Sequence, residues 1–159
     1  MSEQQVPIAS PAKFRDVFER LEAASARYVV VSGIAVVLHG YERPVLDLDI
    51  VIDPTPVEAE RIMWILVSAG FVSTIPLPLQ LVTVLRMFDS SFREIDVFVR
   101  YSIPFAQLWQ DAKLVRVADQ TVRIASFDHL IQLKQFNGRP HDLSDIEGLK
   151  RVAKVKKSN

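Results

Sequence analysis

Tyr28-Val29-Val30-Val31-Ser32-Gly33-Ile34-Ala35-Val36-Val37-Leu38-His39-Gly40-Tyr41-Glu42-Arg43-Pro44-Val45-Leu46-Asp47-Leu48-Asp49-Ile50-Val51-Ile52-Asp53 is the stretch that decides how this chain folds. Tyr28 to Val31 is a short β-branched run and reads as a strand. Ser32-Gly33 breaks it, and Ile34 to His39 reads as a short buried helix stopped by Gly40. Leu46 to Ile52 is the second strand, with Asp47 and Asp49 embedded in apolar sequence. Strand side chains alternate between faces, so these two carboxylates stand side by side, about 7 Å apart along the strand. Acids in buried-looking strand sequence are costly unless positive charge sits on them.

A third acid lies in a similar setting downstream. In Glu94-Ile95-Asp96-Val97-Phe98-Val99, the apolar Ile95, Val97 and Val99 take one face and Asp96 the other. If the two strands are neighbours, Asp47, Asp49 and Asp96 converge. Two carboxylates about 5 Å apart repel by roughly 3 kcal/mol at an effective dielectric near 20. Protonation or a divalent cation relieves this, and all-oxygen donors suit Mg²⁺ or Mn²⁺. The competing reading leaves the acids in water or pairs them with arginines such as Arg43 and Arg93. The Ser32-Gly33 break favours the first: a strand, a small-residue turn and a helix N-terminus attract phosphate, with free N–H groups and the Ser32 hydroxyl.

The rest of the chain supplies a frame for that centre. It has 159 residues, 49% hydrophobic and 24% charged, with formal net charge +0 and pI about 6.8. That is enough chain for one domain with a substantial core, and bulk charge gives no argument for a nucleic-acid or membrane partner. The domain is expected to span 1–159, with 1–9 as a frayed lead-in and the last helix running to about residue 155. Lys150, Arg151, Lys154, Lys156 and Lys157 crowd the C-terminus, where they suit a solvated helix end. There are no cysteines, which fits a reducing compartment. With no signal-peptide pattern and no long apolar run, the chain reads as cytoplasmic.

Ser10-Pro11 starts a first helix, carrying Phe14, Val17, Phe18 and Leu21 inward to about Ala26. Thr55-Pro56-Val57-Glu58 has the form of a capping box, opening a helix with Ile62, Ile65, Leu66 and Ala69 inward. Residues 73–80 read as a loop. Val82 to Phe88 and Glu94 to Arg100 read as hairpin strands, and so do Lys113 to Val117 and Thr121 to Ala125. Pro104 to Ala112 is a short helix. Ser126 caps another with Leu130 and Leu133 inward, stopped at Asn137-Gly138. A last helix carries Leu143, Ile146, Leu149 and Val152. Trp64 and Trp109 read as packing residues, and His39 as a helix-end residue. Interleaved strands and helices predict an α/β (α+β) fold, a mixed β-sheet flanked by helices.

Ser32-Gly33, Asp47-Leu48-Asp49 and Asp96, in this order, resemble the nucleotidyltransferase superfamily of the DNA polymerase β-like fold. Val31-Ser32-Gly33, His39-Gly40, Arg43 and the Asp-x-Asp pair are similar to its small minimal-nucleotidyltransferase and abortive-infection-toxin branch. The segments Ser126 to Lys134 and Gly138 to Ile146 resemble the C-terminal signature of that branch. Two departures stand out: Ser32 replaces the first glycine of a pair, and Val45 replaces a threonine before the acids.

The resemblance implies a metal-dependent transfer of a nucleoside monophosphate from an NTP, ATP foremost, to a hydroxyl acceptor. The acceptor would be a protein, a tRNA end or a small molecule, in a toxin–antitoxin or defence setting that supplies a partner protein. Asp47, Asp49 and Asp96 would be the metal-binding and catalytic acids, with Mg²⁺ or Mn²⁺ as cofactor. Ser32, Gly33, Arg43, Lys134 and Arg139 would contact nucleotide phosphate. Arg139 has a structural alternative, an ion pair with Asp142 or Asp145. The alternative function keeps the fold as a catalytically weak nucleotide-binding or protein-interaction module. A nuclease is disfavoured, because Glu94-Ile95-Asp96 lacks the lysine of an acid-x-Lys pair.

Overall fold

The structure, a computed structural model, describes residues 11–73 and 82–158. A short 3₁₀ turn, Pro11–Phe14, leads into α1, Arg15–Ala23. β1, Tyr28–Val31, runs directly into α2, Ser32–Leu38. Then come β2, Asp47–Ile52, α3, Pro56–Ser68, and β3, Val72–Ser73. β4, Val84–Phe88, and β5, Glu94–Phe98, form a hairpin, followed by α4, Phe105–Asp111. β6, Lys113–Val117, and β7, Gln120–Ile124, form the second hairpin before α5, Phe127–Asn137, and α6, Pro140–Ser158.

The strands make one mixed sheet in the order β3-β4-β5-β2-β1-β7-β6. β2 is antiparallel to β1 and parallel to β5. β1 in turn is parallel to β7. β1 is buried along its whole length, as a strand covered on both faces must be. Val17, Phe18 and Leu21 of α1 and Ala59, Ile62 and Leu66 of α3 supply helix faces to the core. This is the mixed sheet with flanking helices that the alternation of patterns predicts.

Several local expectations hold. Ser126 Oγ accepts from the His129 N–H at 3.1 Å and caps α5, and Gly138 ends that helix at φ +64°. His39 closes α2, its Nε2 donating to the Ala125 carbonyl at 2.8 Å.

Others are corrected. The capping box does not close: Thr55 makes no side-chain cap. Glu58 is drawn away by the Arg61 guanidinium at 2.8 Å and the Arg27 N–H at 2.8 Å. Asp53 Oδ1 accepts the Thr55 N–H instead, at 2.9 Å. Ser73 belongs to a two-residue edge strand, while 74–80 of the expected loop and the Ser10 cap lie outside the described residues. Trp64 is 65% exposed and is no core residue. Trp109 does pack, between the guanidiniums of Arg27 and Arg123 at 4.6 and 4.0 Å from its ring. Leu143 is exposed, whereas Ile146 and Leu149 are buried.

Candidate active site

The parallel register of β2 and β5 sets Asp47 beside Glu94 and Asp49 beside Asp96. Neighbours in register share a sheet face, as do residues two apart on a strand. Four carboxylates therefore stand on one face of two central strands, while Leu48, Ile95 and Val97 fill the core on the other. Asp47, Glu94 and Asp96 each offer an oxygen such that these atoms lie within 4.8 Å of one another. The expected set of Asp47, Asp49 and Asp96 is thus brought onto one face, but the tightest trio has Glu94 in it. Asp49 stands on the Ser32 side of Asp96.

The hairpin register adds the counter-charge. Arg86 of β4 lies opposite Asp96. Its Nε donates to Asp96 Oδ1 at 3.0 Å and its Nη2 to Asp96 Oδ2 at 3.3 Å. The same Nε is 3.0 Å from Glu94 Oε2, yet its N–H is directed at Asp96. Glu94 Oε2 is left buried without a hydrogen bond, as is Asp49 Oδ1. Burial, followed by the charges of Asp96 and Asp47, pushes the Glu94 carboxyl up to about 7. Burial likewise pushes Asp49 up to about 6, against the Ser32 hydroxyl beside it, which favours the charged form.

Ser32 has φ +61°, the left-handed region that suits glycine. Gly33 is required by close approach: a Cβ there would lie 2.6 Å from Val45 Cγ1 and 3.2 Å from an Arg43 Nη2. Val45 is buried against it, so the residue that replaces a hydroxyl packs the turn. Tyr101 also reaches this corner. Its hydroxyl is pushed up to about 12, first by burial and then by the Asp49 charge, with Ser32 opposing. Ser32 and Tyr101 open onto a cleft of about 450 Å³ that Thr83, Phe98, Arg100 and Phe136 also line.

The other basic residues expected at the site already hold carboxylates. Lys134 is buried, with Nζ 2.8 Å from Asp145 Oδ2 and 3.5 Å from Asp142 Oδ1. Arg43 pairs with Asp145 at 2.7 Å, and Arg139 with Asp142 at 2.7 Å. Asp142 sits below the usual carboxylate range: burial opposes this, but Arg139 and Lys134 outweigh it. The network ties α5, α6 and the 39–46 connection together, and Arg139 is in the ion pair given as its alternative. Arg93 binds Asp16 and Asp89 at 2.7 and 2.8 Å, away from the acid row.

Can these residues hold a divalent cation? The donors are all carboxylate oxygens, two buried oxygens lack a hydrogen-bond donor, and burial and neighbouring carboxylates push two of the carboxyls above their ordinary range. Each feature fits a hard dication such as Mg²⁺ or Mn²⁺. Sequence reading missed three participants. Glu94 had a legible signal: it stands two residues before Asp96, the spacing that paired Asp47 with Asp49. Arg86 follows from the hairpin register once Phe88 is set against Glu94. Tyr101 lies beyond β5 and has no local signature.

This arrangement is the nucleotidyltransferase fold, the superfamily architecture that the motifs resemble. Among solved structures, lincosamide antibiotic adenylyltransferase LnuA, bound to lincomycin, superposes with TM-score 0.69 at 13% identity, covering 91% of this chain and 98% of its own. ANT(2″)-Ia in complex with adenylyl-2″-tobramycin gives 0.63 at 10% identity, covering 92% and 94%. An antigenic nucleotidyltransferase-like protein from Paracoccidioides brasiliensis gives 0.58 at 16% identity, covering 89% and 77%. At such identities the likeness is one of fold. No family model matches the chain, and no curated protein matches it in sequence. No helix among the described residues is long and apolar enough to cross a membrane.

Proposed function

We propose that this protein is a metal-dependent nucleotidyltransferase that moves a nucleoside monophosphate from an NTP to a hydroxyl acceptor. The observation that carries this is the meeting of Asp47, Glu94 and Asp96 within 4.8 Å, with Asp49 and Ser32 alongside, in the nucleotidyltransferase fold. Bond formation would join the acceptor oxygen to the α-phosphorus as the bond to pyrophosphate breaks, and the hydroxyl proton would pass to a carboxylate of the row. A bound Mg²⁺ or Mn²⁺ would neutralise the phosphate oxygens and lower the pKa of the attacking hydroxyl. Asp47, Glu94 and Asp96 would hold it, and Asp49 would complete the set. Ser32 and the backbone around Gly33 would steady the phosphates. Arg43, Lys134 and Arg139 would serve by fixing the helices around that turn.

ATP is the proposed donor. A small-molecule acceptor is favoured over a protein or tRNA end, because LnuA and ANT(2″)-Ia match over nearly their whole length and were solved with lincomycin and adenylyl-2″-tobramycin. A defence or toxin–antitoxin role, with a partner protein, is a narrower proposal that rests on the motif resemblance alone.

The test is incubation of the protein and Mn²⁺ with α-labelled ATP and a panel of small hydroxyl compounds, tRNA and protein. Label transfer with pyrophosphate release, lost in Asp47→Asn, is expected. Mn·ATP binding without transfer to any acceptor would favour the catalytically weak module; no binding at all would remove the function.

A further inference from the structure

Among the described residues, Arg86 is the group at the acid row that the proposed transfer does not use. Its guanidinium bridges two of the three carboxylates in the tight trio, with Nε 3.0 Å from both Asp96 Oδ1 and Glu94 Oε2. The bridge is incomplete, since Glu94 Oε2 receives no N–H. One positive charge faces two carboxylates, and its N–H groups are directed at only one of them. The side chain is also 58% exposed, so its head can leave without opening the core. Its strand neighbours Leu85 and Met87 point the other way and are buried, which anchors β4 whatever Arg86 does.

We propose that Arg86 is an exchangeable counter-ion: it neutralises Asp96 and Glu94 when no metal is bound, and it gives way when a divalent cation binds. A dication bound to the same carboxylates repels the guanidinium at close range, so metal binding weakens the Arg86 contact and the Arg86 contact weakens metal binding. The released guanidinium stays at the rim of the row, where planar N–H donors suit a polyphosphate. Arg86 therefore weakens binding of bare metal and strengthens binding of metal with nucleotide. This rests on the proposed metal site at Asp47, Glu94 and Asp96.

Titration calorimetry with Mn²⁺ alone and then with Mn²⁺ plus ATP tests it, on wild type, Arg86→Ala, Arg86→Lys and Asp47→Asn. Arg86→Ala is expected to bind bare Mn²⁺ about fivefold tighter, in line with one half-exposed charge pair removed. It should also lose part of the gain in affinity that ATP gives the wild type. Arg86→Lys, which keeps the charge, is expected to stay near wild type for bare Mn²⁺. Equal or weaker Mn²⁺ binding by Arg86→Ala, with binding still lost in Asp47→Asn, would overturn the counter-ion role and leave the metal site standing. Mn²⁺ binding that is absent from wild type and Arg86→Ala alike would overturn both.

Discussion

Glu94 shows how a single side chain reports on its surroundings. Its carboxyl is pushed up to about 7 and that of Asp49 to about 6. Both keep a proton in the fold at pH values where the unfolded chain has released it. The fold therefore loses stability from these groups as pH rises through about 6 and 7. Asp16, Asp89 and Asp142, held below the ordinary range by arginines, act in the opposite sense, and their stabilisation is lost only on acidification. His39, lowered by burial, favours the fold as pH rises through the ordinary histidine range. Comparing wild type with Glu94→Gln isolates the one carboxyl. Glu94→Gln is expected to raise the metal-free Tm at pH 8, to raise it much less at pH 5, and to reduce the Tm gain on adding Mn²⁺. Thermal melts at the two pH values check this.

The turn residues give a second test at this scale. Gly33→Ala would drive a methyl into Val45, and overpacking of this kind costs about 1–3 kcal/mol. Ser32→Gly would relieve a left-handed residue at φ +61°, worth about 1–2 kcal/mol. It would also remove the hydroxyl that favours ionised Asp49. Denaturant unfolding of the two variants should move in opposite directions.

Among the elements, α5 and α6 are joined by charges that a hydrophobic-pattern reading does not see. Asp145 is almost fully buried and holds both Lys134 and Arg43. Removing one partner from a buried pair leaves uncompensated charge and costs about 3–5 kcal/mol. Asp145→Asn is expected to lose stability on that scale. Arg139→Ala, whose side chain is 60% exposed, should cost less, because Lys134 still faces the Asp142 carboxylate it leaves. Urea denaturation ranks the two. Tyr41 lies on α6 at Gly148, where any Cβ would strike its ring, so the connection leaving α2 is held to the same helix. These contacts fix the position of Arg43, and through it the Ser32-Gly33 turn that faces the acids.

For the whole molecule, the order of strands was legible only in part. Alternation in Leu46–Ile52 and Glu94–Arg100 placed three acids on strand faces, and the turn at Ser32-Gly33 placed a helix start beside them. Their convergence needed β2 and β5 to be neighbours, and a strand sequence does not state its partner. The same gap hid Arg86, whose role depends on hairpin register. Glu58 shows the reverse failure: a good local signal at Thr55-Glu58 lost to Arg61 and Arg27, which only the fold brings near. Family likeness points Lys134 and Arg139 toward nucleotide, while the carboxylates they pair with, Asp142 and Asp145, lie a few residues further along the chain.

Asp47, Glu94 and Asp96 converge within 4.8 Å, close enough that one divalent cation could be held by all three. Crystals grown with Mn²⁺ and a non-hydrolysable ATP analogue, measured at the manganese absorption edge, test it most directly. The expected result is an anomalous peak bonded to oxygens of these three side chains, with Arg86 moved off Asp96. A map with no manganese at the acid row and Arg86 still bridging Asp96 and Glu94 would contradict it.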